Sequence, residues 1–352
     1  MKKLISLLLV LAMALTLVAC GAKEAAPAAT EAAPAATEAA AEAPAGAKTY
    51  KVGVAIYQYN DNFMTLYRNE IVEYFKTLET DDVKYEITMV DSKNDMGEQT
   101  NQIDTFITQG MDAIILNLVQ TSSAEVLIDK VVDAGIPLIL INREPLGDNG
   151  DESYEGIINN PGVCYVGADA RQSGTYQGEI VLALDDKGDI NGNGKVDYVM
   201  IVGDPENPDA QYRTEFSIKA LTDAGVEVNK LVENVGNWDQ TKGQEIAQAA
   251  LAQFGDEIDV IFCNNDGMAL GAAAAIEAAG RKVGEDIYLL GVDALDECQE
   301  MVKAGTMTGT VLNDHIGQSH KAVDVTVAAL NGEAIDNYYW VDYLKVDKAY
   351  FG

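Results

Sequence analysis

The chain has 352 residues, of which 24 are basic and 56 are acidic, so its formal net charge is −32 at pH 7. A surface this acidic repels nucleic acid and anionic lipid, which argues against a nucleic-acid-binding protein and favours a neutral or cationic ligand. Hydrophobic residues make up 48% of the sequence, and the length suits about two domains of 100–200 residues each.

The first twenty residues have the pattern of an export signal. Lys2 and Lys3 precede an apolar run, Leu4–Val18, and small residues then lead to Cys20. The run is short for a membrane span, which needs about 20 apolar residues, so a transmembrane anchor is the weaker alternative. The sequence therefore predicts a signal peptide over residues 1–19. It resembles a bacterial lipoprotein signal, whose cleavage leaves Cys20 as the lipid-carrying first residue.

Residues 20–48 are dominated by alanine, glutamate, threonine and proline, with AAPAATEAAPAATEAA as a near repeat. Such a composition cannot bury a hydrophobic core, and its prolines disfavour a continuous helix. We expect a flexible tether that holds a folded domain away from a membrane surface.

From residue 49 onward, short apolar runs alternate with amphipathic stretches. This order predicts an α/β fold whose parallel sheets are covered on both faces. About ten strands are too many for one comfortable sheet, so two sheets in two lobes fit better. The predicted strands are Tyr50–Tyr57, Lys84–Val90, Ala113–Leu118, Pro137–Asn142, Val163–Val166, Tyr198–Val202, Val228–Glu233, Val260–Asn264, Tyr288–Val292 and Gly309–Leu312. The predicted helices include Glu98–Gln109, Ser122–Ala134, Thr214–Ala224, Lys242–Gln253 and Ala269–Ala279.

Three cysteines remain once Cys20 is assigned to the lipid: Cys164, Cys263 and Cys298. An odd number cannot all pair within one chain. Because Cys164 and Cys263 lie in apolar strand-like runs, we expect buried free thiols.

The polar residues that follow the predicted strands are the candidate ligand contacts, because ligands of parallel sheets bind beyond the carboxyl ends of the strands. Planar amides and carboxylates make paired hydrogen bonds that match the vicinal hydroxyls of a sugar. For a single such residue, a helix cap or a turn is the commoner explanation. The repetition favours a shared polar ligand. The segments are Asn60–Asn62, Asn142–Glu144, Asp204–Asp209, Asn264–Asp266, Asp293 and Asn313–Asp314.

Seven sequence blocks, in order and correctly spaced, resemble the periplasmic galactose/glucose-binding protein family. The likeness extends over nearly all of residues 49–351. It implies a binding protein and not an enzyme, which captures galactose or glucose and delivers it to a sugar ABC permease. It also allows a chemoreceptor as a second partner. The blocks are VAIYQYNDNFM (54–64), INREP (141–145), GDPENPDAQYRT (203–214), NWDQT (237–241), NNDGMALGA (264–272), GVDAL (291–295) and GTVLND (309–314).

The same resemblance implies the domain organisation of a type I periplasmic binding protein. Two Rossmann-like lobes with parallel-type sheets are joined by a three-segment hinge, and the sugar lies in the cleft between them. We expect a monomer. The predicted N-terminal lobe is 49–166 with 316–342, the C-terminal lobe is 169–312 with 344–352, and the hinges lie near 167–169, 313–315 and 343–344.

The resemblance also implies a set of sugar contacts. Phe63 and Trp238 would sandwich the apolar faces of a pyranose, and Asp61 would accept a hydrogen bond from the 4-hydroxyl of either epimer. Core packing is the alternative for the aromatic residues, and a surface salt bridge is the alternative for Arg213. Asn207 stands where the family usually has histidine, which leaves the 6-hydroxyl contact and the ranking of the sugars open. The implied set is Asp61, Phe63, Asn142, Asn207, Asp209, Arg213, Trp238, Asn265, Asp293 and Asn313.

The segment DINGNGKVD, residues 189–197, has the spacing of a calcium loop. The bidentate glutamate expected at the twelfth position is missing, because Met200 stands there, and a Gly/Asn-rich turn is the alternative. The family resemblance supplies a completing carboxylate from elsewhere in the chain. The predicted ligands of a structural Ca²⁺ are Asp189, Asn191, Asn193, the Lys195 carbonyl, Asp197 and Asp259.

Other function classes fit the sequence less well. A repressor core of this fold would need an N-terminal DNA-binding helix pair, and a dehydrogenase would need G-x-G-x-x-G after the first strand, where YQYNDNFM stands. A glycosidase would use paired carboxylates, and no hydrolase motif is recognisable. Within the binding class, a ribose- or autoinducer-binding protein is the strongest alternative; Asp61, Phe63 and Trp238 disfavour it.

Overall fold

The computed structural model describes residues Gly46–Leu146 and Tyr154–Gly352. The predicted signal peptide (1–19), Cys20 and the tether up to residue 45 lie outside the described residues. Lys48, which the sequence assigns to the tether, is instead the first residue of strand β1 and pairs with Val83. None of the described helices is long and apolar enough to cross a membrane.

The first lobe is built on a six-stranded sheet in the order β11-β5-β4-β3-β1-β2, with every pair parallel. Its strands are β1 (Lys48–Ile56), β2 (Val83–Asp91), β3 (Ala113–Leu116), β4 (Leu138–Ile141), β5 (Val163–Gly167) and β11 (Tyr338–Trp340). Its helices are α1 (Asn62–Leu78), α2 (Met96–Gln109), α3 (Ala124–Asp133), the short α4 (Glu155–Ile158) and α10 (His315–Leu330).

The second lobe is built on a four-stranded parallel sheet in the order β7-β6-β8-β9, beside an antiparallel pair, β10 and β12. Its strands are β6 (Val196–Val202), β7 (Val228–Val235), β8 (Val260–Cys263), β9 (Tyr288–Leu290), β10 (Thr310–Leu312) and β12 (Leu344–Val346). Its helices are α5 (Ala170–Leu182), α6 (Pro208–Asp223), α7 (Gln240–Phe254), α8 (Asp266–Ala278) and α9 (Asp296–Ala304).

Each lobe buries apolar side chains on both faces of its sheet. In the first lobe, Val54 and Ile56 pack with α1 and α10, while Leu116 and Leu140 pack in the cluster that includes residues of α2 and α3. The second lobe repeats this arrangement with two clusters around β6 and β8. Both faces of the central strands are therefore dry, which is why their sequences are continuously apolar and do not alternate.

The chain passes between the sheets three times: after β5, between β10 and α10, and between β11 and β12. The predicted two-lobed α/β architecture with parallel sheets is confirmed. Strands β11 and β12 are not among the predicted strands. Cys164, Cys263 and Cys298 are buried and free, as predicted.

Candidate functional site

All of the residues predicted as sugar contacts line one pocket between the lobes, with an empty volume of about 320 Å³. The pocket lies at the carboxyl ends of strands from both sheets, where parallel sheets place ligand sites. Three further residues complete the lining: Tyr57 and Met64, which the prediction missed, and Arg143, which lies in a predicted strand-end segment but not in the set of implied sugar contacts.

Asp61 contributes a carboxylate from the first lobe. It is the N-cap of α1, and its Oδ1 accepts a hydrogen bond from the Met64 N–H at 2.7 Å. Its Oδ2 accepts a hydrogen bond from the Tyr57 hydroxyl at 2.7 Å. Both bonds fix the orientation of the carboxylate, so a ligand hydroxyl meets a preset acceptor.

Phe63 and Asn142 form another part of the first-lobe wall. Phe63 is 5% exposed, and its ring meets Tyr67 and His315 edge to face, with centroids 5.9 and 6.5 Å apart. Asn142 follows β4 with a φ of 63°, and its Oδ1 accepts from the Asn117 side chain at 3.2 Å. Phe63 therefore combines a core contact with a place on the pocket surface, so packing and ligand contact are not exclusive.

Asp209 and Arg213 form a buried ion pair on α6, with Arg213 Nη2 3.0 Å from Asp209 Oδ2. The same Nη2 donates to the Tyr343 hydroxyl at 3.0 Å, and Nη1 donates to the Asn264 carbonyl at 2.8 Å. Arg213 is 3% exposed, so the predicted alternative of a surface salt bridge is wrong. The Nε of Arg213 is buried without a hydrogen-bond partner, although it belongs to a side chain that lines the pocket.

The pocket wall formed by the second lobe contains two buried carboxylates, Asp209 and Asp293, whose ionised forms are disfavoured by burial. Burial raises the pKa of Asp293 well above its usual value; Arg213 opposes this shift, and the Asp266 and Asp61 carboxylates add to it. Burial also raises the pKa of Asp209, against the lowering effects of Arg213 and Arg143. The ionised form of a buried carboxylate is stabilised when a ligand donates hydrogen bonds to it.

Trp238 lies on the β7–α7 connection with a φ of 65°, and its indole ring packs directly against Gly203. A Cβ at Gly203 would lie 2.2 Å from the indole, so only glycine permits this approach. The Asn265 side chain donates to the Trp238 carbonyl at 3.4 Å, and its Oδ1 caps α8 through Met268 N–H. The indole is thus held at the pocket by the backbone of the second lobe.

Asn207 and Asn313 complete the predicted set. Asn207 is the N-cap of α6, and its Oδ1 accepts from the Asp209 N–H at 3.0 Å. Asn313 is 2% exposed and donates to Asp293 at 3.4 Å while accepting from Gln318 at 2.6 Å. Since its oxygen already serves as the cap, Asn207 has its amide N–H₂ to offer a ligand.

Three of the residues that line the pocket have positive φ angles although they are not glycine: Asn142, Trp238 and Asp293, the last at 122°. Such conformations are uncommon, and they persist where the surrounding structure enforces them, often at functional sites. Side-chain direction at this pocket is therefore set in part by strained backbone.

Hydrogen bonds within the chain link the residues of the predicted calcium loop. Asp189 accepts from the N–H groups of Asn193 and Gly194, and both Asp259 oxygens accept backbone N–H groups, those of Asn191 and Asp197. The Asp197 carboxylate is 2.9 Å from the Lys195 ammonium. Among the described residues, no three or more His, Cys, Asp or Glu side chains are grouped to hold a metal ion.

Comparison with known proteins shows what the chain is similar to. Residues 52–334 match the model of the periplasmic binding protein domain. The D-galactose/methyl-galactoside binding periplasmic protein MglB of Haemophilus influenzae is 33% identical over 315 residues, which cover 86% of this chain and 91% of that protein. A candidate rhizopine-binding protein of Rhizobium meliloti is also 33% identical, over 85% of this chain and 90% of its own length.

Among solved structures, an ABC transporter solute-binding protein of Bacillus halodurans with bound myo-inositol superposes with a TM-score of 0.72. It is 28% identical, and the match covers 85% of this chain and 95% of that one.

Proposed function

The chain belongs to the periplasmic binding protein family, and we propose that it captures D-galactose and D-glucose in the interlobe pocket and delivers them to a membrane ABC permease. Proteins of this family are exported solute-binding proteins of transport systems and not enzymes. Sugar binding is the general function that its relatives share; galactose and glucose as the particular ligands are our proposal.

One observation carries the proposal: carboxylates from both lobes meet one pocket that also contains Phe63 and Trp238. Asp61 offers an acceptor from the first lobe, and Asp209 and Asp293 offer acceptors from the second. A sugar presents hydroxyl donors around its rim and apolar C–H groups on its faces, so charged acceptors and aromatic rings suit its two kinds of surface. The similarity to a galactose-binding protein over most of both chains supports the same ligand class.

A binding protein for another monosaccharide, such as ribose or an autoinducer sugar, is the alternative. Similar proteins are named for different ligands, galactose, rhizopine and myo-inositol, so the fold alone does not determine the ligand. Within the pocket, Asp61 favours a pyranose with a 4-hydroxyl, whichever its configuration. The Asn207 amide can donate to a 6-hydroxyl but lacks the ring of a histidine.

Binding is expected to close the cleft. Because the contacts divide between lobes, a sugar can make all of them only when the lobes are together, so its binding energy favours the closed form. Trp238 and Trp340 are the only tryptophans, and Trp238 lines the pocket. Galactose and glucose should therefore change the tryptophan emission and lower the radius of gyration in solution scattering. Absence of both effects at saturating sugar would refute hexose-driven closure.

We propose further that Cys20 carries a lipid, so that the tether keeps the protein on the outer face of the cytoplasmic membrane, close to its permease. A Cys20→Ser variant should move from the membrane fraction to the soluble exported fraction. A chemoreceptor is proposed as a second partner of the closed form; a swimming assay in galactose gradients, with and without this protein, tests it.

A structural calcium ion at residues 189–197 is also proposed. Its support is the donor set of Asp189, Asn191, Asn193, Asp197 and Asp259 with the Lys195 carbonyl, hard oxygen ligands of the kind that Ca²⁺ prefers. Binding would require the Lys195 ammonium to leave Asp197. Chelation should lower the melting temperature, because a ligand of the native state stabilises it.

A further inference from the structure

Arg143, which lines the pocket, joins the two lobes. It follows β4 of the first lobe, and its Nη1 lies 3.2 Å from Oδ2 of Asp204, which follows β6 of the second lobe. The Arg143 side chain is 2% exposed and that of Asp204 is 18% exposed. An ion pair this well shielded is stronger than one on an open surface.

The guanidinium of Arg143 is held in place from the first lobe. Its Nη1 also donates to the Val119 carbonyl at 2.6 Å, and its central carbon lies 3.7 Å from the centroid of the Tyr57 ring. A cation over an aromatic face within about 6 Å is attracted by the ring. The Arg143 Nε is buried without a hydrogen-bond partner, and the side chain lines the pocket.

Tyr57 connects Arg143 to the proposed sugar acceptor. Its hydroxyl donates to Asp61 Oδ2 at 2.7 Å while its ring lies under the Arg143 guanidinium. Asp61, Tyr57, Arg143 and Asp204 thus form a continuous series of contacts, which starts at the pocket and ends on the opposite lobe.

We propose that this series, the Asp61–Asp204 relay, couples ligand occupancy to cleft closure, with Arg143 as the positioning residue that carries the coupling. The inference rests on the proposed function only in that a ligand binds between the lobes. A ligand hydroxyl at Asp61 fixes the Tyr57 hydroxyl, and the Tyr57 ring fixes the guanidinium that pairs with Asp204.

The Arg143–Asp204 pair can exist only when the lobes are together, so it adds stability to the closed form alone. A contact present in one of two states shifts the equilibrium towards that state. Since release of a sugar from the closed pocket requires opening, loss of the pair should speed dissociation more than it slows association.

Asp204→Asn tests the relay without touching the pocket lining. Asp204 Oδ1 accepts the Glu206 N–H at 3.0 Å, and the asparagine oxygen can keep that bond, while its amide replaces the acceptor that faces Arg143. The matched control is Glu206→Gln, which removes one negative charge from the same exposed turn, two residues away.

Stopped-flow tryptophan fluorescence should show galactose dissociating about 3–10 times faster from Asp204→Asn than from wild type, the range for a partly shielded ion pair. Glu206→Gln should match wild type. Equal dissociation rates for the two variants would overturn the relay. Sugar ranking across a panel should not change, because no contact to the sugar is altered.

Tyr57→Phe provides a second test, since it keeps the ring beneath Arg143 and removes the hydroxyl, which donates to Asp61 at 2.7 Å and accepts from the Gln58 side-chain amide at 3.1 Å. In the double variant with Asp204→Asn, the two effects on dissociation should be less than additive, as expected for residues in one series of contacts. Full additivity would contradict the coupling.

A failure of the proposed sugar function can be distinguished from a failure of the relay. If neither hexose binds wild type, the same comparison of dissociation rates is made with whichever other sugar or polyol of the panel does bind, since the relay requires only a ligand between the lobes. Asp204→Asn should then release that ligand faster than Glu206→Gln. Equal dissociation rates would overturn the relay.

Discussion

The interlobe pocket and the loop over residues 189–197 are made of the same residue types: asparagine, aspartate and a basic side chain nearby. They differ in whether those polar groups find hydrogen-bond partners within the protein. In the pocket, the Nε groups of Arg143 and Arg213 are buried without partners. The carboxylates of Asp209 and Asp293 lie beside them, and burial raises the pKa of each.

In the loop, each carboxylate is satisfied from within the protein. Asp189 and Asp259 each accept two backbone N–H groups, and Asp197 accepts from the side chains of Lys195, Asn193 and Asn229. Burial acts to raise the pKa of Asp197, but these bonds outweigh it and the pKa is lowered. At Asp259 burial prevails over the two backbone bonds and the pKa is raised.

The difference teaches that composition alone does not identify a ligand site. Buried polar groups without partners cost about 1–3 kcal/mol each, so the pocket gains most when a ligand supplies those partners. The loop already has its hydrogen bonds, so an ion has less to add there. Ligand-dependent effects should therefore be large at the pocket and small at the loop.

The largest effect is expected for Asp61→Ala. Loss of this carboxylate leaves sugar hydroxyls buried without an acceptor, and affinity for both galactose and glucose should fall beyond detection, a loss of about 2–5 kcal/mol or more. Calorimetry measures it. The matched control is Asp95→Ala, because Asp95 is the N-cap of α2 through Glu98 N–H and does not line the pocket. Normal binding of either hexose by Asp61→Ala would mean that the site is wrongly assigned.

Trp238→Ala comes next. Removal of the aromatic surface should weaken hexose binding by about 1–3 kcal/mol, the scale for a buried aromatic contact. Trp340→Ala is the control, since Trp340 is 39% exposed on β11 and does not line the pocket. Similar losses in both variants would indicate a general loss of structure and not a sugar contact.

Acidic pH should weaken binding through Asp293. Its pKa is raised in the free protein by burial, with Arg213 opposing, and sugar hydroxyls donate to the ionised form. Sugar affinity is therefore highest above that raised pKa. It falls as the pH drops through the pKa, by at most about tenfold per pH unit for one proton. The free energy of unfolding of the sugar-free protein changes with pH in the opposite direction. Because the folded state binds the Asp293 proton more tightly than the unfolded state does, this residue makes the protein more stable as the pH falls.

Titrations of wild type and Asp293→Asn at a series of pH values measure this linkage. The variant should bind more weakly at neutral pH and with a flatter pH profile. An unchanged profile would place the titrating group elsewhere.

Calcium removal should have the smallest effect. Chelation is expected to lower the melting temperature by a few degrees, since about 1 kcal/mol corresponds to about 2–4 °C in domains of this size, and to leave sugar affinity unchanged. Asp189→Ala should abolish the response to chelator. A melting temperature that is the same with and without calcium would refute the ion, and a large fall in sugar affinity would refute the contrast between pocket and loop.

The sequence predicted much of this fold because the strands are buried on both faces and read as apolar runs. Tyr338–Trp340 and Leu344–Val346 were missed because they are partly exposed strands of only three residues each. The first of them also pairs with β5, far earlier in the chain. Arg143 belonged to a predicted strand-end segment, yet its ion pair with Asp204 could not be predicted, because the two residues lie on different lobes. The paired hydrogen bonds that close the loop over residues 189–197 could not be predicted either, since the spacing shows which polar groups exist and not what they contact.

Calorimetric titration of the purified protein with galactose, glucose, ribose and myo-inositol tests the central claim most directly. We expect one molecule of galactose or glucose to bind per chain, each at least about tenfold, or about 1.4 kcal/mol, more tightly than ribose and myo-inositol. Tighter binding of ribose or myo-inositol than of both hexoses, or no binding of either hexose, would contradict the account.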